Sequence, residues 1–192
     1  MSKSKYAAQK LEPPEYKKRC LEVYKLARNG EHLAVISSIK HHGIWRLKND
    51  FRPNANHSWY IAGCAYYDLR KYESSVKAFQ KALRSWPEDG EAWFALGNSY
   101  SELGRFYSAY RANMRGIKSE SNKKVLPALY YNLGNALFDM KKYTDAAAIY
   151  KKLIRRRDEI GRMARKNLKL ATEWLVYLKE EQRLRTSRRR AT

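Results

Sequence analysis

The sequence is poor in the residues that build metal centres and disulfide frameworks. Only two cysteines occur, Cys20 and Cys64, and the four histidines include one adjacent pair, His41 and His42. No CxxC motif or Cys/His cluster of a zinc site is present, and a histidine pair near a helix end is explained by the helix dipole alone. We therefore expect no metal, no disulfide and a reduced, cytoplasmic setting.

Motifs of catalysis, targeting and membrane insertion are also missing. The 192 residues contain no P-loop, GxGxxG, HExxH or nucleophile elbow. No run of about 18 apolar residues could span a membrane, and the opening MSKSKYAAQKLEPPEY lacks the apolar centre of a secretory signal. We expect a protein of one domain that is not an enzyme and uses no cofactor.

Basic residues are abundant, and they are concentrated at the two ends. The formal net charge is +21, and residues 151–192 hold 15 Lys and Arg against 5 Asp and Glu. The middle is only mildly basic, with 13 against 9 in residues 53–150. Such a balance favours an acidic partner, namely nucleic acid, an anionic membrane or an acidic protein. The alternative is a solvated surface that only aids solubility.

One phrase occurs three times, as WYIAGCAYYDLRKY, WFALGNSYSELGRF and YYNLGNALFDMKKY. Gly63 and Gly97 lie 34 residues apart, and Gly134 follows 37 residues later because the segment 118–127 carries three extra residues. Small residues at fixed spacing allow two antiparallel helices to approach closely. On this basis Gly63 should face Ser75, Gly97 should face Ala109, and Gly134 should face Ala146.

The period and the spacing W-x2-LG-x2-Y, followed by A-x3-F and P, resemble the tetratricopeptide repeat. The second copy carries the pattern on Trp93, Leu96, Gly97, Tyr100 and Ala109. The first copy carries it on Trp59, Ala62, Gly63, Tyr66, Ser75, Phe79, Ala82 and Pro87, and the third on Tyr130, Leu133, Gly134, Leu137, Ala146 and Tyr150. One departure is Asn113, which stands where the family usually has Phe.

The resemblance implies an all-α fold, a right-handed α-solenoid of antiparallel helix pairs with a C-terminal capping helix. We expect repeats at 56–89, 90–123 and 127–160. A flexible N-terminus (1–14) should come first. A helical pair (15–52), which could be a degenerate repeat, should follow it. Apolar residues at helical spacing predict the capping helix at 161–183, and a basic, disordered tail should follow at 184–192.

In this family the first helix of each pair lines a concave groove that binds a peptide or a partner protein. Carried over by position, the ligand-binding candidates are Tyr60, Cys64, Tyr67, Asp68, Phe94, Asn98, Glu102, Tyr131, Asn132, Asn135 and Asp139. The fifth place of each repeat is aromatic and the thirteenth is acidic, which favours a basic or neutral ligand. The alternative is that the aromatics pack against neighbouring helices and the acids balance local charge.

Two other interpretations use the basic residues. Some family members hold peptide tails in a carboxylate clamp, whose places here are Phe94, Asn98, Asn132, Arg162 and Lys166 if position 161 begins the next repeat. Alternatively, the basic runs could contact nucleic acid or another polyanion nonspecifically. The polyanion candidates are Arg155, Arg156, Arg157, Arg162, Arg165, Lys166, Arg188, Arg189 and Arg190.

Overall fold

The computed structural model describes residues 13–119 and 124–190, except for the side chain of Arg190. These residues form helices and turns, and the described part contains no β-strand, only one isolated bridge between Lys40 and Leu47. The prediction of an all-α fold is therefore confirmed. Most of the predicted flexible N-terminus, residues 1–12, lies outside the described residues.

The chain divides into two compact units at Pro87 and Glu88. The N-terminal unit contains α1 (Pro14–Arg28), α2 (His32–Ile39), a short 3-10 helix (Asn49–Phe51), α3 (Ala55–Asp68) and α4 (Tyr72–Ser85). The C-terminal unit contains α5 (Gly90–Glu102), α6 (Phe106–Ser119), α7 (Leu126–Asp139), α8 (Tyr143–Lys151) and α9 (Glu159–Arg190). Each copy of the repeated phrase thus begins within the first helix of an antiparallel pair.

The three pairs turn in the same way. The residues at the turns of the three pairs, Arg70, Gly104 and Lys141, all have positive φ, at 57°, 67° and 60°. A left-handed residue ends a helix by allowing the chain to reverse, and glycine adopts this conformation without steric cost. Gly104 needs no side chain to be accommodated in this conformation, while Arg70 and Lys141 adopt it with a side chain.

The repeated glycines do allow close packing, but their neighbours are not only the expected small residues. A Cβ atom added to Gly63 would lie 2.6 Å from Phe79 Cε1, and one added to Gly134 would lie 2.6 Å from Tyr150 Cε1. At Gly97 the nearest atom would be Asn113 Nδ2, at 2.8 Å. The residue sixteen positions after the glycine therefore fills the space, because it lies one helical turn beyond the small residue. Ser75 also contacts its glycine, donating from Oγ to the Gly63 carbonyl at 2.9 Å.

Helix α9 differs from the predicted capping helix followed by a disordered tail. It is one continuous helix of 32 residues, which runs through the stretch 184–190 that we expected to be disordered. No Gly or Pro interrupts it after Gly161, and Glu-to-Arg pairs three and four residues apart, such as Glu180–Arg183 and Glu181–Arg185, support it.

Candidate functional site

In the N-terminal unit, the candidate residues Tyr60, Cys64, Tyr67 and Asp68 lie along α3. The Tyr60 ring is half-buried, with its centroid 5.7 Å from that of Phe79, and the Tyr67 ring lies 5.4 Å from Tyr72. Both aromatics therefore pack against α4, as the alternative interpretation expected. Cys64 is half-buried, and Asp68 is exposed with its Oδ2 3.5 Å from His32 Nδ1.

A cluster of hydroxyl and imidazole groups ties α1 to the start of α3. The Tyr16 hydroxyl lies 2.7 Å from His57 Nδ1, and the Tyr24 hydroxyl lies 2.5 Å from His57 Nε2. Because both ring nitrogens have a partner, the imidazole is held in one orientation at the second place of the repeat. More than 30 positions separate each tyrosine from the histidine, so the sequence gives no sign that these residues meet.

In the C-terminal unit, asparagines link successive first helices. Asn132 of α7 donates from Nδ2 to Asn98 Oδ1 of α5. Asn167 of α9 repeats the arrangement, donating from Nδ2 to Asn135 Oδ1 at 3.0 Å. These two pairs form an amide ladder across α5, α7 and α9, in which every amide also has groups left to offer a ligand.

Asn135 is the most connected member of the ladder. Its Oδ1 also accepts a 2.8 Å hydrogen bond from the Tyr150 hydroxyl of α8. Asn167 in turn lies 3.1 Å from the Tyr131 hydroxyl. Burial raises the pKa of Tyr150 well above its ordinary value, so its hydroxyl remains a neutral donor at physiological pH. These hydrogen bonds therefore fix the orientations of the Asn135 and Asn167 amides.

The position of Asn167 corrects the register that we assumed for α9. In the first pair of the ladder, Asn98 at the ninth place of one repeat bonds to Asn132 at the sixth place of the next. Asn135 is also at a ninth place, so its partner Asn167 occupies the sixth place of the segment that follows. The second and sixth places of α9 are then Met163 and Asn167, not Arg162 and Lys166. Neither residue is basic, so this register does not bring the last two cations of a carboxylate clamp to their places.

The aromatic and acidic rows of this unit have different environments. Phe94 and Tyr131 are half-buried, and the Tyr131 ring centroid is 6.1 Å from that of Tyr150, so this ring packs on α8. Glu102 and Asp139 are exposed at the ends of α5 and α7. Partial burial on one side nevertheless raises the pKa of Asp139, and no cation pairs with its carboxylate among the residues that the structure describes. An exposed carboxylate at this place can contact a basic group of a ligand.

The basic candidates are less available than the sequence indicated. Arg156 forms an ion pair with Asp158, and Arg162 forms one with Glu159. Arg165 donates from Nη1 to the carbonyls of Ile154 and Arg156, at 2.7 and 3.0 Å. Arg155, Arg157, Lys166, Arg188 and Arg189 are exposed, and the side chain of Arg190 lies outside the described part.

Among residues 13–119 and 124–190, no group of three or more His, Cys, Asp and Glu side chains could hold a metal ion. None of the helices that the structure describes combines the length and the apolar character needed to cross a membrane.

Comparisons with known proteins agree with the repeat architecture. Two models of the family described as "Tetratricopeptide repeat" match residues 60–112 and 127–159. A search of curated proteins finds no match.

Solved structures similar to this chain include three helical-repeat proteins. MamA (residues 41 to the end) from Desulfovibrio magneticus RS-1 has a TM-score of 0.64 and 16% identity, and the match covers 90% of this chain and 97% of that one. The first repeat domain of Spaghetti (RPAP3), bound to the HSP90 peptide SRMEEVD, has a TM-score of 0.57 and 16% identity, covering 64% and 94%. The Sgt2 repeat domain from Aspergillus fumigatus has a TM-score of 0.57 and 17% identity, covering 65% and 82%. At these identities the likeness concerns the fold alone, whereas the two family models confirm the predicted repeat type.

Proposed function

We propose that this chain, which carries tetratricopeptide repeats at residues 60–112 and 127–159, is a non-catalytic interaction module that binds a peptide or a partner protein along the first helices of its repeats. The observation that carries this proposal is the amide ladder of Asn98–Asn132 and Asn135–Asn167. Amide side chains fixed at regular intervals can hydrogen-bond the backbone of an extended segment whatever its sequence.

The ligand of this face should be neutral or basic. The two acids at its edge, Glu102 and Asp139, are exposed, and none of the candidate positions on α5 and α7 is Lys or Arg. The related RPAP3 domain is bound to SRMEEVD, a peptide rich in acidic residues. Here Phe94, Met163 and Asn167 stand where a clamp for an acidic peptide tail would need cations. Charge complementarity therefore favours the opposite class of ligand.

The alternative, an association with nucleic acid through the basic C-terminal residues, has weaker support. Arg156, Arg162 and Arg165 are engaged within the protein. The binding experiment must therefore distinguish nucleic-acid binding from peptide binding.

The experiment measures fluorescence polarisation of three labelled ten-residue peptides at about 150 mM salt, where exposed charges are screened beyond about 8 Å. One peptide alternates Lys with Ala, one alternates Glu with Ala, and one is the Glu peptide with an amidated C-terminus. We expect the Lys peptide to bind most tightly, and the two Glu peptides to bind equally weakly. Tighter binding of the Glu peptide that requires its free carboxylate would contradict the proposal and support a clamp.

Charge-reversal variants assign the binding to a surface. Glu102→Lys with Asp139→Lys should weaken the Lys peptide about tenfold, because two favourable charges become repulsive. The matched control is Asp145→Lys, an exposed acid on the second helix α8, which should change nothing. Reversal of Arg155, Arg156 and Arg157 to Glu should abolish binding of a single-stranded oligonucleotide and spare the Lys peptide. Equal effects of all three variants would refute a distinct peptide face.

A further inference from the structure

The sign of the charge differs between the first helices of the C-terminal unit and the second helix α6. The first helices α5 and α7 contain acidic residues but no Lys or Arg, whereas α6 contains three cations and no Asp or Glu. These cations, Arg111, Arg115 and Lys118, are all exposed. Within residues 13–119 and 124–190, no ion pair joins any of them to an acid. Helix α6 therefore presents three cations that are open to a ligand.

The acids of the neighbouring segments do not offset this charge. Residues 102–124, which contain α6 and the segments on either side of it, hold six Lys and Arg against two Glu. Residues 141–152, which contain the next second helix, hold four Lys against one acid, Asp145. At the start of α5, the buried carboxylate of Asp89 accepts a 3.0 Å hydrogen bond from the N–H of Ala92. The surroundings of α6 are therefore basic as well.

An aromatic ring holds Arg115 in position. The central carbon of its guanidinium lies 5.6 Å from the centre of the Trp93 ring on α5. Glu91 precedes Trp93 by two residues, so it lies on roughly the opposite side of α5, away from Arg115. The same contact recurs in the other two pairs, with the cation again 22 positions after the aromatic residue, as Lys81 over Trp59 at 5.0 Å and Lys152 over Tyr130 at 5.6 Å. A cation on a ring face keeps N–H donors for other partners.

Two tyrosines accompany the cations of α6. The Tyr107 ring is 64% exposed, and it lies nearly parallel to the Tyr110 ring, with centroids 6.3 Å apart and planes 16° apart. Tyr110 is half-buried and packs against the buried cluster of α7, α8 and α9, so it supports Tyr107 from one side. At about 100° per residue, Tyr107, Arg111 and Lys118 fall within about 40° of one another around the helix. Arg115 lies about 40° beyond Arg111. We call Tyr107, Arg111, Arg115 and Lys118 the α6 face.

We propose that the α6 face binds single-stranded nucleic acid. An unpaired base stacks on the exposed Tyr107 ring, and neighbouring phosphates contact Arg111, Arg115 and Lys118. Single strands are bound by this combination of ring and cations, because every nucleotide carries a flat base and a negative charge. A double helix keeps its bases paired and stacked, so it would leave Tyr107 unused. The proposal does not depend on the function proposed above, because α6 contributes no residue to the amide ladder.

The other two second helices lack this combination. At the place of Tyr107, α4 has Glu73 and α8 has Thr144. The third pair retains two of the three cations, Lys152 and Arg155. Helix α4 retains all three, as Lys77, Lys81 and Arg84. Both pairs therefore offer cations for phosphates without a ring at this place, and α4 supplies a control with the same number of cations.

An acidic segment of a protein fits the α6 face less well. Its carboxylates would meet the three cations, but an Asp or Glu side chain has no flat ring to cover Tyr107. Each phosphate of a single strand, in contrast, is attached to a nucleotide that carries a base, so the cations and the ring are used together. The contribution of Tyr107 to binding therefore distinguishes the two ligands.

The test measures fluorescence polarisation of labelled oligouridylate and oligothymidylate, each about ten nucleotides long, with the full chain between about 50 and 200 mM salt. Replacement of Arg111, Arg115 and Lys118 by Gln should weaken both oligonucleotides at least tenfold. The slope of log affinity against log salt should become shallower by about 2, because each phosphate contact contributes about 0.7. The matched control replaces the three cations of α4 by Gln. It removes the same charge, and it should leave the slope unchanged.

The ring is tested separately from the charge. Tyr107→Ser should weaken both oligonucleotides by about fivefold or more, because one stacked base is lost. It should not affect inorganic polyphosphate, which has the charge but no bases. Tyr107→Phe keeps the ring and should bind like the parent. Because Tyr107 is 64% exposed, its replacement should leave the circular dichroism spectrum unchanged.

Three outcomes would overturn the proposal. The first is unchanged oligonucleotide binding by the Gln variant of α6, and the second is an equal loss in the α4 control, because binding would then follow total charge alone. The third is Tyr107→Ser binding like the parent, or a Glu peptide that binds more tightly than the oligonucleotides, since either points to an acidic protein. The Lys peptide should bind all these variants equally, so a failure here is separate from a failure of the amide ladder.

Discussion

In the two complete helix pairs of the C-terminal unit, chemically different side chains fill the space beside the repeated glycine. In α7–α8, the ring of Tyr150 packs against Gly134, and the Tyr150 hydroxyl donates a hydrogen bond to Asn135 on the candidate binding face. In α5–α6, Gly97 receives the side chain of Asn113, which donates to the Ala109 carbonyl of its own helix. The third pair therefore connects its core to its candidate binding face, and the middle pair does not.

The middle pair also contains an unusual polar atom. Asn113 is fully buried, and its Oδ1 has no hydrogen-bond partner among the residues that the structure describes. A buried acceptor without a partner costs free energy. The comparison teaches that a repeat reproduces the position of a close contact. The residue at that position decides whether the contact is apolar, leaves a buried acceptor without a partner, or joins the amide ladder.

The largest effect that tests this comparison should come from Gly134→Ala. The new methyl group would meet the buried Tyr150 ring at 2.6 Å, and overpacking of this kind typically costs about 1–3 kcal/mol. We expect a lower free energy of unfolding in urea, and a smaller loss for Gly97→Ala because the Asn113 amide is smaller than a ring. In a double-mutant cycle, the cost should disappear in the Tyr150→Ala background. A cost that is the same in both backgrounds would mean that the ring is not the obstacle.

Replacing Asn113 by Phe should make the middle pair resemble its neighbours. The variant removes the unmatched acceptor and supplies the side chain found at Phe79, so we expect a gain of about 1–2 kcal/mol in the free energy of unfolding. The measurement is thermal or urea unfolding, with Asn113→Ala as the control that removes the amide without filling its space. A Phe variant no more stable than the Ala variant would show that the middle pair cannot hold an aromatic ring.

Tyr150→Phe should cut the connection between core and binding face in the third pair. It removes the hydrogen bond to Asn135 Oδ1 and keeps the ring, so the expected loss of stability is about 1 kcal/mol. The more specific readout is hydrogen exchange, which should speed up in α9 around Asn167 and stay unchanged in α5. If exchange in α9 does not change, Tyr150 is a packing residue only.

The smallest effect should come from Asp139→Asn, and it should depend on pH. Burial raises the pKa of this carboxyl in the folded protein above its ordinary 3.8, so the ionised form is less favourable in the folded state. That cost is complete above the folded-state pKa and absent below 3.8, where both states bind the proton. The variant should therefore be more stable than the parent at pH 7, and this difference should disappear as the pH falls below 3.8. Lower stability of the variant at pH 7 would show that the carboxylate has a stabilising partner.

Much of the fold could be read from the sequence because its evidence is local. The helical spacing and the repeated phrase each involve residues within one helix pair. The residues of the candidate face were harder to predict from the sequence. The repeat pattern places Asn98, Asn132 and Asn135, but it does not extend to Asn167. Outside the repeated phrase, an error of one residue in register rotates the inferred face by about 100°. That error assigned Lys166 to the place that Asn167 occupies.

The sequence by itself determined that this protein is helical, that its helices come in repeated pairs, and that a glycine marks the closest approach in each. These properties follow from spacing along the chain, which local backbone geometry converts directly into helices and turns. Only the tertiary structure decided that Phe79, Asn113 and Tyr150 fill the glycine contacts, that Asn167 completes the amide ladder, and that α9 leaves apolar side chains such as Tyr177 exposed. The physical reason is that each of these depends on how helices distant in sequence are rotated and how far each extends past its neighbour.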